Sequence, residues 1–236
     1  MKRTLVISDI HGELDKLERL LLDIDYQPEQ DQLILLGDYV DRGPDPKRVV
    51  EKVMQLRELG ALVLKGNHED MMIKSLTTND ERTWKRWVQI NGGDATLRSY
   101  GFTEADWAID EEAPTFQKPC LHSATLEQHL AFLTSLDHYI ETEQFIFVHA
   151  GVHPATPIAE TEPYTLMWIR SEFHNGYNGD KIVVFGHTTT DTLHQDPANF
   201  EVYFGDNRII GIDGGAVYGG QLNCLELPSL QVFSVK

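Results

Sequence analysis

Cysteine is scarce in this sequence: only Cys120 and Cys224 occur among its 236 residues. They lie far apart along the chain and show no spacing typical of a metal-binding pair, which excludes a site built from cysteine thiolates. Disulfide-rich proteins are typical of oxidising compartments, so two isolated cysteines are interpreted as free thiols. We therefore expect the protein in a reducing compartment, with the cytoplasm as the default.

Long apolar runs and an excess of positive charge are also missing. No apolar run approaches the roughly 18 residues of a membrane-spanning helix, and residues 1–4 lead into a strand-like segment without the features of a signal peptide. The formal net charge is −17, whereas binding to the phosphate backbone of nucleic acids requires a basic face. We expect no membrane partner and no nucleic acid as a bulk partner, although a few local cations could hold a small phosphorylated substrate.

What the sequence does contain is a regular alternation of apolar strands and helices. Hydrophobic residues make up 41% of the chain, which is enough for a substantial core. Helix-spaced apolar residues predict helices at 13–22 and between 46 and 60. Continuous apolar runs predict strands at 3–8, 33–36, 61–64, 144–148 and 181–185. Strands that alternate with helices in this way indicate an α/β fold.

The middle and the end of the chain follow different patterns. We expect residues 70–138 to form a mostly helical insertion, in which Trp84 and Trp87 pack in the core and the acidic segment 104–112 is exposed. Beyond it, antiparallel strands are predicted at 202–204, 208–213, 221–227 and 230–235. No repeat, low-complexity tract or clear linker divides the chain, so we expect a single domain spanning residues 1–236.

Polar residues follow five of the predicted strands directly, where open α/β sheets place their chemistry. Asp9 and His11 follow the first strand and, on an extended segment, would point the same way. The clusters after the other strands are Asp38/Asp41/Arg42, Asn67/His68, His149 and His187. This number of oxygen and nitrogen ligands exceeds what one divalent ion needs. This set of ligands suits two ions, such as manganese, iron or zinc, that lie about 3.5–4 Å apart and share a bridging carboxylate.

The order of these clusters resembles a known family. The matching segments are Asp9-Ile10-His11-Gly12, Gly37-Asp38-Tyr39-Val40-Asp41-Arg42-Gly43, Gly66-Asn67-His68-Glu69, His149-Ala150-Gly151 and Gly186-His187-Thr188. They are similar to the phosphoprotein phosphatase family, especially its bacterial and phage serine/threonine phosphatases, within the calcineurin-like metallophosphoesterases. Trp168-Ile169-Arg170, Asn91-Gly92-Gly93 with Thr96-Leu97, and the tail 212–220 also resemble that branch. The implied fold has mixed β-sheets packed as a sandwich and flanked by helices.

The resemblance implies a site with two divalent metal ions, manganese first, with iron, zinc or cobalt as alternatives. It implies that Asp9 and His11 bind the first ion and that Asp38 bridges both ions. The second ion would be bound by Asn67, His149 and His187. Two positions depart from the family pattern: Ser8 stands where Gly is usual, with little expected effect, and Asp213-Gly214-Gly215 replaces the common Asp-Thr-Gly.

The resemblance also implies how a phosphate ester would be cleaved. His68, paired with Asp41, would be the general acid that protonates the leaving oxygen, because an alkoxide is a poor leaving group. Arg42 and Arg170 would clamp the phosphoryl oxygens, with Asn67 beside them. A water or hydroxide that bridges the two metals would attack phosphorus in line, without a covalent enzyme intermediate.

The sequence therefore predicts a metal-dependent phosphomonoesterase, with serine/threonine protein phosphatase activity as the leading hypothesis. A dinucleoside polyphosphate hydrolase of the diadenosine tetraphosphate type is the first alternative, since it would use the same metals on a phosphoanhydride. Related enzymes of that kind often replace the residue at Asp41, so its presence favours phosphomonoesters. An inactive metal-binding scaffold or regulator is the second alternative. The sequence leaves the oligomeric state open.

Overall fold

The chain is described by a computed structural model that covers residues 3–109 and 114–236. Ten strands alternate with helices in this part of the chain. The strands are β1 (Arg3–Ile7), β2 (Asp31–Leu35), β3 (Leu62–Val63), β4 (Tyr139–Glu141), β5 (Phe145–Val148), β6 (Ile182–Phe185), β7 (Tyr203–Phe204), β8 (Ile209–Gly211), β9 (Leu222–Leu227) and β10 (Gln231–Val235).

The helices fall before, between and after the strands. The α-helices are α1 (Leu14–Asp23), α2 (Pro46–Glu58), α3 (Asn67–Thr77), α4 (Glu81–Lys85), α5 (Gly93–Ser99), α6 (Glu104–Trp107), α7 (Ala124–Thr134), α8 (Pro163–Trp168), α9 (Ser171–Gly176) and α10 (Thr190–His194). A π-helical turn spans Arg86–Ile90, and short 3₁₀ turns span Ile158–Glu160 and Ala216–Tyr218.

The strands form two mixed five-stranded sheets. The first has the order β10-β9-β1-β2-β3 and the second β4-β5-β6-β8-β7. In the first sheet β1, β2 and β3 are parallel, and β9 and β10 add antiparallel neighbours. In the second, β5, β6 and β8 are parallel and β4 and β7 are antiparallel edges. The C-terminal strands thus extend both sheets instead of forming a unit of their own.

Strand alternation explains how the sheets stack. Along β1, Val6 packs in the apolar layer between the two sheets, whereas Leu5 and Ile7 face the helices on the other side. In β6, Val184 enters the layer between the sheets, and its neighbours Val183 and Phe185 face α8 and α9. Successive strand residues point to opposite faces, and both faces here are apolar. The predicted sandwich of mixed sheets flanked by helices is confirmed.

Most of the segment 70–138 is helical and packs against the first sheet. Trp84 and Trp87 are buried there, and their ring centroids are 5.9 Å apart in an edge-to-face pair. Ile90, the last residue of the π turn, is 77% exposed, because the wider repeat of that turn directs it away from the core.

The acidic segment 104–112 is described only in part. Its residues up to Ile109 are exposed or half-buried, apart from the buried Trp107. Asp110, Glu111 and Glu112 lie outside the described residues. Both cysteines are free thiols: Cys120 is exposed and Cys224 is buried in β9. None of the helices in the described ranges is both long enough and apolar enough to traverse a lipid bilayer.

Candidate active site

The five predicted clusters all lie at the carboxyl ends of β1, β2, β3, β5 and β6. Backbone hydrogen bonds hold the loops after β1 and β2 side by side. The N–H of Asp9 donates to the carbonyl of Gly37 at 3.1 Å, and that of His11 to the carbonyl of Asp38 at 2.9 Å. Gly37 is required here: its φ is +116°, and a Cβ at this position would lie 2.5 Å from the nitrogen of Gly66.

The backbone of these loops is turned, not extended. Asp9 and His11 have φ of 54° and 44°, so the expectation that they share one face of an extended segment is wrong. These positive φ values turn the backbone within the loop that connects β1 to α1, and the bonds of that loop to the loop after β2 hold its shape. Asp9 faces the site from this turn: it lines a cavity of about 240 Å³ together with Asp38, Asn67 and His187.

Asp38 lies at the centre of the cluster. Its two carboxylate oxygens face different histidines: Oδ2 is 3.5 Å from Nε2 of His11, and Oδ1 is 3.4 Å from Nε2 of His149. The histidine nitrogens and carboxylate oxygens that could bind a metal form two groups, and within each group these atoms all lie within 4.8 Å of one another. One group is His11, Asp38 and His68, and the other is Asp38, His149 and His187. Asp38 belongs to both, as a bridging ligand would.

The histidine rings are oriented by backbone carbonyls, which can only accept hydrogen bonds. Nδ1 of His11 donates to the carbonyl of Val40 at 2.8 Å, and Nδ1 of His149 donates to that of Leu36 at 3.1 Å. Each bond leaves Nε2 directed at the cluster. Metal-binding histidines commonly have this arrangement, because a hydrogen bond at one ring nitrogen fixes the ring for a ligand at the other.

Two further observations fit a bound cation. Nε2 of His149 faces two acceptor oxygens, Oδ1 of Asn67 at 2.8 Å and Oδ1 of Asp38 at 3.4 Å. Nε2 of His187 is buried, and no residue in the described ranges forms a hydrogen bond with it. Buried polar atoms normally have partners. A divalent ion placed among these atoms would bind the converging acceptors and would give Nε2 of His187 a partner.

The electrostatics of the cluster point the same way. Burial, together with Asp38, raises the pKa of Asp9, and burial with the nearby Asp9 raises the pKa of Asp213 well above its usual range. Burial lowers the pKa of His11 and His187 well below their usual range, so both rings are neutral and can act as ligands. Three crowded carboxylates raise the energy of the charged state, and a cation between them would lower it.

His149 behaves differently from the other two histidines. Burial alone would lower its pKa, but Asp38 beside its Nε2 raises the pKa to about 9. Burial likewise would raise the pKa of Asp38, and His149 with His68 instead holds it well below its usual range. Asp38 therefore favours a positive charge next to Nε2 of His149, and a metal ion would supply that charge in place of a proton.

Asp41 and His68 form a buried pair beside these atoms. Nδ1 of His68 lies 2.6 Å from Oδ2 of Asp41, and Nε2 of His68 faces Asp38 at 4.0 Å. Asp41 also accepts hydrogen bonds from Nε1 of Trp87 at 3.0 and 3.1 Å and from Oγ1 of Thr96 at 2.7 Å. Its carboxylate is fully buried. Trp87 and Thr96 thus fix the carboxylate that orients His68.

Glu69 connects the loop after β2 to the start of α3. One of its oxygens accepts from the N–H groups of Asp38 and Gly66 at 2.8 and 2.9 Å. The other accepts from those of Tyr39 and Val40 at 2.8 and 3.3 Å. Burial, together with Asp38, raises the pKa of Glu69 to about 7. Four donors on one buried carboxylate fix Asp38 relative to the start of α3.

Arg42 and Arg170, the two arginines predicted to bind substrate, both reach the cavity. Nη1 of Arg42 contacts Nε2 of His11 at 2.7 Å, and its guanidinium lies 5.3 Å from the ring centroid of Tyr218. Nη1 of Arg170 donates to Oγ1 of Thr188 at 2.9 Å. Both arginines line the cavity with Trp168 and Tyr218. They bring positive charge to a cavity that is also lined by buried carboxylates.

Reasoning from sequence misses some contributors to the site. It assigns Trp87 to core packing only and gives no role to Thr96, Glu69 and Asp213, although these three lie in segments that resemble the family. Asp213 lines the cavity. Ser8 is expected to matter little, yet its hydroxyl donates to Oδ2 of Asp9 at 2.5 Å. The available signal is position: all but Trp87 lie beside a predicted ligand or within a matching segment.

Comparisons with known proteins agree with this geometry. The serine/threonine-protein phosphatase 1 of Salmonella typhimurium is 28% identical over 92% of this chain and 88% of its own. The asymmetrical bis(5′-nucleosyl)-tetraphosphatase PrpE of Bacillus subtilis is also 28% identical, over 98% of this chain and 93% of its own. A crystal structure assigned provisionally as a diadenosine tetraphosphatase superposes with a TM-score of 0.69 at 23% identity, covering 99% of this chain and 93% of that one.

A family of sequences also matches most of the chain. The sequence model of the calcineurin-like phosphoesterases matches residues 2–220. That span contains all five clusters at the strand ends, and the family implies a hydrolase with a dinuclear centre of divalent metal ions, which the donor groups around Asp38 fit. The chain belongs to the calcineurin-like phosphoesterase family.

Proposed function

We propose that this protein hydrolyses phosphate monoesters in phosphoproteins and that phosphoserine and phosphothreonine are its substrates. The observation that carries the proposal is the buried pair of His68 and Asp41, with Nδ1 and Oδ2 separated by 2.6 Å, at the edge of the candidate metal cluster. A serine or threonine leaving group is a strongly basic alkoxide. Its departure requires a proton donor more than the departure of a phosphate does.

The metal ligands that we propose are the residues around Asp38. Asp9 and His11 would hold one divalent ion, Asp38 both, and Asn67, His149 and His187 the other. Manganese is our first choice, with iron, zinc or cobalt as alternatives, since carboxylate, imidazole and amide oxygen suit all of them. When bound, two such ions supply positive charge for the phosphoryl oxygens and lower the pKa of water.

The protein's own side chains would provide the rest of the chemistry. Asp41 accepts from Nδ1 of His68 and would stabilise the imidazolium form of His68, whose Nε2 proton would face the cavity and pass to the leaving oxygen. Arg42 and Arg170 would hold the phosphoryl oxygens and neutralise the charge that shifts onto them in the transition state. Asn67, which lines the same cavity, would contact the substrate as well as the second ion. No residue in this scheme has to form a covalent bond with phosphorus.

A dinucleoside tetraphosphatase is the second candidate. Relatives with that name match this chain over 98% of its length at 23% to 28% identity, which is similar to the match with the protein phosphatase. The proposed metal ligands and arginines would serve a phosphoanhydride equally well. The free thiols Cys120 and Cys224 support a reducing compartment such as the cytoplasm for either activity.

A parallel assay separates the candidates. The protein is purified with manganese, and kcat/KM is measured for a phosphothreonine peptide and for diadenosine tetraphosphate on the same preparation. We expect the phosphopeptide to be the better substrate. A dinucleotide kcat/KM that is higher by orders of magnitude would overturn the proposal, and turnover of neither substrate would favour a metal-binding scaffold.

A further inference from the structure

A second cavity adjoins the candidate active site. It has a volume of about 640 Å³ and lies along α4 and the π turn. Its lining residues are Glu81, Arg82, Lys85, Arg86, Ile90 and Asn91. Asn91 also lines the active-site cavity, so the two cavities share a wall. We call this second cavity the basic groove.

The charge of the groove is opposite to that of the whole chain. The formal net charge of the protein is −17, but the described residues that line the groove include three cationic side chains and one carboxylate, a formal excess of +2. The carboxylate of Glu81 pairs with Nζ of Lys85 at 2.8 Å. Arg82 and Arg86 are exposed and carry the excess. A local positive surface attracts anionic groups even when the protein as a whole is acidic.

The groove is connected to the candidate metal cluster by packed side chains. The guanidinium of Arg86 lies 5.1 Å from the ring centroid of Trp168, and that ring contacts His187 edge to face at 5.8 Å. Trp168 itself lines the active-site cavity. An anion held at Arg86 therefore lies on a surface that continues directly to the proposed second metal site.

The π turn creates this surface. The N–H of Asn91 donates to the carbonyl of Arg86 at 3.1 Å, and Nδ2 of Asn91 donates to the same carbonyl at 2.7 Å. The wider repeat buries Trp87 and Val88 while Arg86 and the 77%-exposed Ile90 face solvent. The π turn thus directs the indole N–H of Trp87 to Asp41 and the guanidinium of Arg86 to the groove.

We propose that the basic groove binds acidic residues next to the phosphorylated residue of a protein substrate, an inference that rests on the proposed function. Arg82 and Arg86 are four positions apart, which is about 6 Å along a helix. Alternate residues of an extended peptide are about 6.6 Å apart and point to the same side. The two arginines therefore match aspartate or glutamate at alternate positions of the substrate, and Ile90 provides an apolar contact between such residues and the phosphate.

The first experiment compares phosphopeptides that differ only in their flanks. The first peptide has glutamate at two alternate positions before the phosphothreonine, and the second has glutamate at two alternate positions after it. The third has glutamine at all four of these positions, and the fourth has lysine at all four. We expect one acidic peptide to exceed the glutamine peptide in kcat/KM by about 3- to 10-fold at low salt, as expected for two exposed ion pairs. The lysine peptide should be poorer, and about 0.5 M salt should remove most of the difference.

Variants locate the preference at the groove. Rates are expressed as the ratio of phosphopeptide to para-nitrophenyl phosphate kcat/KM, because the aryl phosphate has no flanks and corrects for any change at the metal centre. In Arg82→Ala/Arg86→Ala the acidic preference should disappear, and Arg82→Glu should shift it toward the lysine peptide. Arg86→Lys keeps the charge over Trp168 and should keep most of the preference. Arg19→Ala/Arg48→Ala removes two exposed, paired arginines from α1 and α2 and should leave the ratio unchanged.

The outcomes separate this inference from the proposed function. Phosphopeptide turnover with no flank preference, or with a preference that survives Arg82→Ala/Arg86→Ala, overturns the groove but not the phosphatase. Turnover of diadenosine tetraphosphate alone overturns both. If the double variant lowers kcat/KM for the dinucleotide and not for the acidic peptide, the groove holds a polyphosphate chain and the peptide assignment is wrong.

Discussion

At the scale of single residues, the candidate site is made from unusual backbone conformations. Six of its side chains come from residues with φ between 44° and 71°: Asp9, His11, Asp38, Asp41, Arg42 and His187. Each such conformation costs an L-residue about 1–2 kcal/mol. Aspartate and histidine tolerate it better than most residue types. Hydrogen bonds between loops, such as that from the N–H of Arg42 to the carbonyl of Gly92 at 3.1 Å, offset this cost. The same bonds hold the side chains of the site in position, which a flexible loop would not do.

This scale also limits what the sequence can predict. The ligand types and their order are readable, since carboxylates and imidazoles directly after apolar strands indicate a site at the carboxyl edge of a sheet. The left-handed turns are not, because the conformation of Asp9 depends on its bond to Gly37, which is distant in the sequence. Likewise, nothing local reveals that the indole N–H of Trp87 is directed at Asp41.

The role of His68 can be tested separately from metal binding. We expect His68→Asn to retain both metals but to lower kcat on phosphothreonine peptides by about 10²- to 10⁴-fold, as is typical for the loss of a general acid. The loss on para-nitrophenyl phosphate should be much smaller, because nitrophenolate leaves without a proton. Metal content is measured on the same samples. His68 shares one group with His11 and Asp38, so a fall in bound metal would show it to be a ligand. The exposed His122→Asn is the control.

At the scale of elements, the N-terminus of α3 is what aligns the site. Asn67 and His68 are its first two residues, and Glu69, its third, holds the loop that bears Asp38. Helix and strand types follow from periodicity, but the π turn at Arg86–Ile90 does not. A repeat of five residues is stable here because Trp87 bonds Asp41 and packs on Gly93. Those tertiary contacts are absent from any local pattern.

Glu69→Gln should disturb this alignment with little change in shape. Both carboxylate oxygens accept two backbone N–H groups, so an amide NH₂ in place of either oxygen would face two donors inside a buried site. We expect the free energy of unfolding to fall by about 1–3 kcal/mol and kcat to fall more than KM rises, because Asp38 and His68 lose their fixed separation. Urea unfolding and steady-state kinetics are compared with the exposed Glu58→Gln. An unchanged kcat would show that Glu69 is not a positioning residue.

At the scale of the whole molecule, the candidate site joins the two sheets. Asp9, Asp38 and Asn67 follow strands of the first sheet, whereas His149 and His187 follow β5 and β6 of the second. The sandwich architecture follows from the family resemblance and fits strands with two apolar faces, but the shared edge where the sheets meet depends on their stacking. The helices within 70–138 share the core of the first sheet through Met72, Trp84 and Leu133. We therefore propose one domain for the described residues.

Because the proposed ligands come from both sheets, metal binding should stabilise the whole fold. A ligand at about 100 times its Kd adds about 2.7 kcal/mol to the free energy of unfolding, which for a chain of this size raises Tm by about 5–10 °C. We expect manganese to raise the Tm of the metal-free protein by that amount, measured by calorimetry. In Asp38→Asn, which lacks the proposed bridging charge, the rise should be largely lost together with the bound metal, while the exposed Asp23→Asn on α1 keeps it. Two bound ions in Asp38→Asn would show that Asp38 does not bridge them.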